Sequence, residues 1–581
     1  MSLSASLGNA VSGLFAARSA LDTISTNVSN ANTAHYARKT LDLTAHAVDP
    51  GTGGGVDVRR VVRIADSFLQ DAAAASTANK GRTESYASIM AELDAVLGEP
   101  GTGRDIATLV SNLRNALSEA TASPQDVSKR RVVVENADSL ARGISGFATA
   151  VTGVRDRTVR AFKESVRQVS DSFVAVAKLN AKIVEGRLSG ADTGLLEDQR
   201  DAAVADASKA VNLTLLRRSS GAIDLFIGGA PTVLAGEAAP LTAVVGASGG
   251  ISLSVGGRDV SSDVQSGVLK AYADVVNSLV PRVDAELRDL AVSVTRSMNA
   301  AHNQGTSVPG RSVVDALPWV SGGDSFGYSG TFRLMLVDDG GRVTASQDIS
   351  LVGPTTLAGL VGQINLPGVR ASLSDGGLKL DASAAAPARN LAWVEIGQAT
   401  VSRVSGGGVM DTGVSLAQFL GLNDMYRISA DSRTLSVRAD LLARPELLAH
   451  AQIADAPAAL EFGQTVTGPA DGRNLATLSR ALESRISAGG AFGGQAHTGT
   501  IYEVSQAITV SLGAGATRAT SEFEIASTVA DEVVARISNL SGVNIDEEMA
   551  QISLYQNAYG AAARVISVAN QMLQDLTRIG Q

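Results

Sequence analysis

Apolar residues recur in a seven-residue rhythm at both ends of this chain. Between Leu3 and Ala31 one column is Leu7, Leu14, Leu21 and Val28, and the other is Leu3, Ala10, Ala17, Ile24 and Ala31. Between Ile545 and Leu576 the columns are Ile545, Ile552, Tyr559, Ile566 and Leu573, beside Tyr555, Ala562, Ala569 and Leu576. A heptad repeat keeps one seam of an α-helix turned toward a partner helix, so the two ends are expected to pack on each other. Alanines in the seam permit close approach of the backbones. The flanking positions hold Val11, Arg18 and Ser25 at one end and Met549, Val565, Met572 and Ile579 at the other, not alternating Glu and Lys. The C-terminal stripe is therefore wider than one partner helix covers, and its surplus is expected to face neighbouring molecules. The same pattern also suits two helices packed on a core of their own.

Between the ends the period changes several times. From Ala65 to Val211 it is helical: Tyr86, Met90, Leu93 and Leu97 mark one face, and Ile106, Leu109, Leu113 and Leu117 another. Val133, Ala137, Leu140, Ile144, Phe147, Val151 and Val154 step by four and three, as do Phe162, Val166, Val169, Phe173 and Val176. Such helices lie side by side in an elongated bundle. Leu195 to Asp201 sits near a turn of that bundle, and Arg200 among its carboxylates reads as a solvated, salt-bridged face. Alternation in twos at Ile223, Leu225, Ile227 and at Ile251, Leu253, Val255 predicts hairpins between about 215 and 260. Helix returns from Leu269 to about His302. Between 306 and 459, Asp-Gly turns at 338–341 and 374–377 lie between alternating strands, which predicts an inserted β-rich module anchored by Trp319 and Trp393. Helical signal resumes at Leu475, Leu478 and Leu482, then at Tyr502 to Leu512, and a further helix spans about Glu522 to Leu540.

The fold class is thus mainly α with an inserted β domain. Three nested parts are expected: 1–45 with 541–581 as a terminal coiled-coil-like helix pair, 46–305 with 460–540 as the helical bundle, and 306–459 as the outer module. A chain of 581 residues is too long for one core.

Composition narrows the chemistry. Aromatics make up only 4% of the chain, so the anchors of small-molecule pockets are scarce. The net charge of −9 and the lack of a basic stripe argue against nucleic acid. There are no cysteines, which removes disulfides and thiolate chemistry. No apolar run is long enough to insert in a membrane, and the N-terminus does not read as a cleaved secretory signal. The glycine clusters at 51–55 and 98–103 lack the following Lys-Ser/Thr of a phosphate loop. His35, His46, His302, His450 and His497 show no metal-ligand spacing, and no nucleophile elbow stands out. No catalytic, cofactor or metal site is expected, and the chain is read as a non-enzyme.

Two short signatures remain. Asn27, Asn30, Asn32, Tyr36 and Arg38 follow the first helix, where dense asparagines stop a helix by competing for local hydrogen bonds. Near the other end, Ser541-Gly542-Val543-Asn544-Ile545-Asp546-Glu547-Glu548 opens the last helix. Asn544 is expected to cap it, with Glu547 as capping-box partner and Asp546 and Glu548 at the positive end of the dipole. The first signature resembles that of bacterial flagellar axial proteins, with His35 where that family usually has Gly. The second, with Tyr555-Gln556 and Ala569-Asn570, resembles the hook-associated protein 1 family.

The resemblance implies a structural subunit at the junction of hook and filament, exported through the flagellar channel and located outside the cell. It implies a nested rod that polymerises through its terminal helices into a ring-like or helical assembly. The implied partners are itself, the hook protein and a second hook-associated junction protein. The uncovered Val565, Met572 and Ile579 edge suits an export chaperone. Alternatives are another axial subunit, from the hook or a second junction protein, or an extracellular protein with an enzymatic or adhesive β insert.

Overall fold

The computed structural model describes residues 3–45, 54–97, 105–316, 325–351, 353–374, 377–385, 389–405, 408–411, 413–453, 460, 462–489 and 497–579. The glycine clusters fall largely outside them, as do His46 and Trp319. The helices are α1 (Leu3–Ser29), α2 (Ser67–Leu97), α3 (Ile106–Ala122), α4 (Val127–Ser189), α5 (Gly194–Ala210), α6 (Val268–Asp274), α7 (Val280–Asn303), α8 (Leu357–Gln363), α9 (Leu416–Leu420), α10 (Ala439–Ala443), α11 (Arg473–Leu482), α12 (Ile501–Ser541) and α13 (Ile545–Ile579). Contacts divide the chain into two compact units. One comprises Met1–Ile89, Arg155–Ser278 and Thr517–Gln581; the other comprises Met90–Val154 and Leu279–Ala516.

In the first unit the C-terminal half of α4 supplies Phe162, Val166, Val169, Phe173 and Val176, all buried, as their spacing predicts. They pack with Val204 and Ala207 of α5 and with the strand residues Ile223, Leu225, Ile227, Ile251, Leu253 and Val255. Those strands form two small antiparallel sheets, and Gly256 and Gly257 turn the second hairpin with positive φ, where a Cβ would be strained. The arm after α1 pairs Lys39–Ala45 antiparallel with Val56–Arg63. α1 packs along α13.

In the second unit Val133, Ala137, Leu140, Ile144 and Phe147 of α4 are buried, together with Leu113 and Leu117 of α3. α7 contributes Val283, Leu287, Leu290, Val294 and Met298, and α11 contributes Leu475, Leu478 and Leu482. The β-rich module has a four-stranded antiparallel sheet, ordered Val343–Ile349, Ser325–Val337, Asn390–Ser405, Gly408–Asp411, and a three-stranded one, ordered Val313–Asp315, Gly377–Asp381, Arg370–Ser374. The strands flanking both Asp-Gly stretches pair antiparallel, Leu336 with Ala345 and Leu373 with Leu378, and Asp375-Gly376 lies outside the described residues. The main apolar core of this module runs from Val314 to Leu422.

Residues after Leu422 bond to helices. Asn299 of α7 accepts from the Met425 and Tyr426 amides and donates to the Tyr426 carbonyl, and the Tyr426 hydroxyl donates to Ala137 O of α4 at 3.1 Å. The Tyr426–Ile428 and Leu435–Val437 hairpin therefore packs outside the sheet core, although the interval 306–459 read as one composition.

Two local expectations fail for identifiable reasons, and one element was not expected. The two helical stretches at 502–512 and 522–540 are one helix, α12, because the Gly-Ala-Thr-Ser run between them has no proline and buries Ala516 and Ala519. A hairpin of Arg485–Ala488 with His497–Thr500 precedes it and was not foreseen; its strands are too short to establish alternation. The Leu195–Asp201 segment is not a solvated face. Asp198 and Arg200 are 6% and 5% exposed, because residues distant in sequence cover them.

Candidate functional site

The site is the joint where the two ends of the chain meet, and all of it lies in the first unit. In α1 the seam turned inward is the small-residue column: Ala10, Ala17 and Ile24 are buried, with Ala16, Ala20 and Asn27 beside them. Leu7, Leu14, Leu21 and Val28 are half-buried. Leu7 lines a groove with Val11, Phe15, Val56 and Val58. On α13, Ala569 is buried and Ile552, Tyr555, Ala562 and Ile566 are half-buried, whereas Ile545, Tyr559 and Leu573 are exposed. Beside this flank Leu554, Val565, Val568, Met572 and Leu576 form an uncovered row, Leu576 at 60% exposure. Their steps of eleven, three, four and four keep them on one side of the helix.

The signature residues cross-link the ends. Asn27 is 1% exposed, and its amide makes four hydrogen bonds. Its Nδ2 donates to Lys39 O at 2.9 Å and to Glu548 Oε2 at 3.0 Å, while its Oδ1 accepts from Lys39 N at 3.0 Å and the Tyr36 hydroxyl at 2.9 Å. Only an uncharged side chain with both donor and acceptor satisfies this set. Arg38 donates through Nε to Glu548 Oε1 at 2.7 Å and pairs with Glu547 at 3.0 Å. The Arg38 amide donates to Ser541 O at 2.8 Å. Burial works against the Arg38 charge, but bonding to Glu547 and the nearby Glu548 charge raise its pKa above the ordinary value. The Tyr36 hydroxyl is pushed up to about 12, by burial first and then by Asp198, Asp192 and Glu548.

Asn544 caps α13 as expected, accepting from the Asp546 amide at 3.0 Å. The capping box is not what occupies Glu547: its carboxylate binds Arg38, because the N-terminal arm delivers a guanidinium there. Glu548 is 1% exposed and serves the same arm, so its role exceeds a dipole partner. Asp546 is exposed in the first turn of α13. Gly542 closes against α12, where a Cβ would stand 2.3 Å from Ser538 O. Asn30 bonds back to Thr26 O at 2.9 Å and ends α1; Asn32 is exposed. His35, in the position where glycine was expected, has φ 62°, the left-handed region that glycine adopts without a steric cost.

Reasoning from sequence missed Lys39, Arg63, Asp198 and Asp201. Lys39 Nζ lies 3.8 Å from Asp198 Oδ2, and Arg63 binds Asp198 Oδ1 at 2.7 Å and Asp201 Oδ2 at 2.6 Å. Burial raises the Asp198 pKa despite the Arg63 and Lys39 charges that lower it. The available signal was the charge balance: two basic residues on an arm otherwise read as extended. Chemically the arrangement binds one chain end to the other. Among the described residues no group of three or more His, Asp or Glu could hold a metal, and no helix is long and apolar enough to cross a membrane.

Comparison with known proteins covers both ends and the middle. Residues 90–315 match the family described as flagellar hook-associated protein FlgK helical domain. Residues 537–579 match flagellar basal body rod FlgEFG protein C-terminal, and residues 7–36 match flagella basal body rod protein. The chain is 24% identical to flagellar hook-associated protein 1 of Salmonella typhimurium over 99% of this chain and 100% of that one. It is 28% identical to the Escherichia coli protein of that name over 42% of this chain and 45% of that one. Among solved structures, the flagellar hook junction protein FlgK from Burkholderia pseudomallei matches at 16% identity with a TM-score of 0.48, covering 81% of this chain and 100% of that one. The rod-protein matches fall on the N- and C-terminal segments that Asn27 and Glu548 tie together, and the likeness to flagellar hook-associated protein 1 runs the length of the chain between them.

Proposed function

We propose that this chain is the structural subunit that joins hook to filament in the bacterial flagellum, polymerising through the paired α1 and α13. The observation that carries the reading is the juxtaposition at the joint. The ends are locked by buried polar bonds, yet the row Leu554, Val565, Val568, Met572, Leu576 is left without a cover in the single chain. A row of that kind is a surface for a neighbour. Neighbouring copies, the hook protein and a second hook-associated protein are the partners, reached after export to the outside of the cell. Before assembly the same row suits an export chaperone. The division into a terminal helix pair (1–45 with 541–581), a helical bundle (46–305 with 460–540) and an inserted β-rich module (306–459) is part of this proposal.

A second reading, another axial subunit, rests on the rod-protein matches at the ends. Labelling the protein on intact flagella separates the two: a spot at the distal end of the hook supports the junction, and decoration along the hook supports the alternative.

A further inference from the structure

The Leu195–Asp201 segment carries buried charge that pairing of α1 with α13 does not use. Asp198 Oδ1 accepts from Arg63 Nε and from the Ala37 amide at 3.3 Å. Its Oδ2 faces only the Lys39 ammonium and accepts no hydrogen bond among the described residues. Lys39 is 4% exposed, and its ammonium otherwise sits 5.2 Å from the centre of the Tyr36 ring. Arg63 also binds Asp201, which accepts from Gln70 Nε2 of α2 at 2.8 Å. Arm, returning strand and α2 thus converge on the first turns of α5. The backbone of Lys39 is in turn what Asn27 grips from both sides before reaching Glu548.

A buried ion pair is a poor source of stability, since desolvation offsets the attraction and an apolar substitute often does as well. Its best-attested use is to fix one arrangement among several. Here the charges lie where the arm passes from α1 to the strand, and a slip of Lys39 there would separate Asn27 from Glu548.

We infer that Asp198 is the positioning residue of the terminal joint: it holds residues 37–39 so that Asn27 meets Glu548, which sets how the α1 and α13 pair presents its uncovered row to the next copy. This rests on the proposed assembly role. Asp198 is buried within the chain and acts through Lys39 and Asn27.

The test uses the full chain, as purified protein and in cells lacking their own copy. Asp198→Asn is compared with Lys39→Met, with the double variant, and with Ile566→Asp as an assembly control. Hydrogen exchange of Asp198→Asn should accelerate at least about tenfold around residues 27–39 and 541–552 and stay unchanged in 162–183 of α4. Incorporation into flagella should fall at least about tenfold. The double variant removes the unpaired buried ammonium yet leaves residues 37–39 without the carboxylate that holds them, so both readouts should stay at least about tenfold from the parent, a persistence that an unpaired buried charge alone would not produce. Wild-type exchange in Asp198→Asn, acceleration spread evenly through 162–183, or recovery of the double variant to within about threefold would each overturn the inference. Normal incorporation of Ile566→Asp would count against the assembly role instead, and the exchange comparison would still decide the role of Asp198.

Discussion

α7 and α13 are both long amphipathic helices, and they treat their apolar faces in opposite ways. α7 buries Val283, Leu287, Leu290, Val294 and Met298, each at 3% exposure or less, against its own unit. α13 keeps Val565, Val568 and Met572 close to half exposed. The polar residues invert the contrast. Glu548, at the start of α13, is fully enclosed by Arg38 and Asn27. Hydrophobic burial thus closes one helix within the chain, whereas the other is fastened at its polar end and left open along its apolar length. Apolar surface excluded from water is what drives both folding and association, so the open face is the part of α13 that association would complete.

Substitutions should separate the two helices. Leu290→Ala removes a fully buried side chain from α7 and should cost about 2–5 kcal/mol, lowering the thermal midpoint of the second unit. Met572→Ala on α13 should cost under about 0.5 kcal/mol in the single chain. Equal losses in calorimetry would erase the distinction. At the fastening point, Glu548→Leu leaves the Arg38 guanidinium with only the half-exposed Glu547. The expected loss is about 3 kcal/mol of local stability, read as faster hydrogen exchange in 545–579 with the core of α4 unaffected.

Acid should act on the second unit. His302 is fully buried; it donates through Nδ1 to Asn423 O and accepts at Nε2 from the Ala449 amide, so it is neutral. Burial lowers its pKa to about 3, and burial with the Arg130 charge lowers that of His450 to about 4. Both folded values lie below the ordinary 6.5, so between them the unfolded chain binds more protons. That stability is present above about pH 6.5 and is lost as pH falls toward 4. By pH 5 each histidine withdraws about 2 kcal/mol. The Asp198 shift has the opposite sign: a raised carboxyl favours the folded chain as pH falls through its titration. Exchange measured at pH 7 and pH 5 should therefore show α7 and its partners loosening before the joint. The reverse order would contradict these assignments.

Much of this was legible in the sequence where periodicity carries the information. Val133 to Phe147 and Phe162 to Val176 are buried at the predicted steps because a helix core is a one-dimensional pattern. The strand pairings around the two Asp-Gly stretches were equally readable, since a short connection and its flanking strands are local. The candidate site was only half visible. Asn27 and Glu547 were picked out as a helix stop and a capping partner, and Arg38 only as part of a signature on an extended arm, because nothing in a string places residue 27 beside residue 548. Asp198 read as solvated for the same reason: its burial comes from Lys39 and Arg63, on a strand pair far away in sequence. The heptads gave two inward columns equal weight. In the structure the alanine column goes inside, since small side chains allow the closest approach, and the leucine column is left half covered.

The central claim is that the uncovered side of α13 is the surface on which copies assemble. Val568→Asp and Met572→Asp place a carboxylate on that side, and Gln574→Asp places one on the opposite side by the 3.6-residue period. All three side chains are exposed, so each variant should fold and melt as the parent does. Incorporation into flagella, quantified by labelling in cells lacking the native copy, should be abolished by the first two substitutions and retained by the third. Each buried carboxylate would cost several kcal/mol per contact. Motile cells with labelled Val568→Asp or Met572→Asp protein at the parental level would show that assembly does not use this side of the helix.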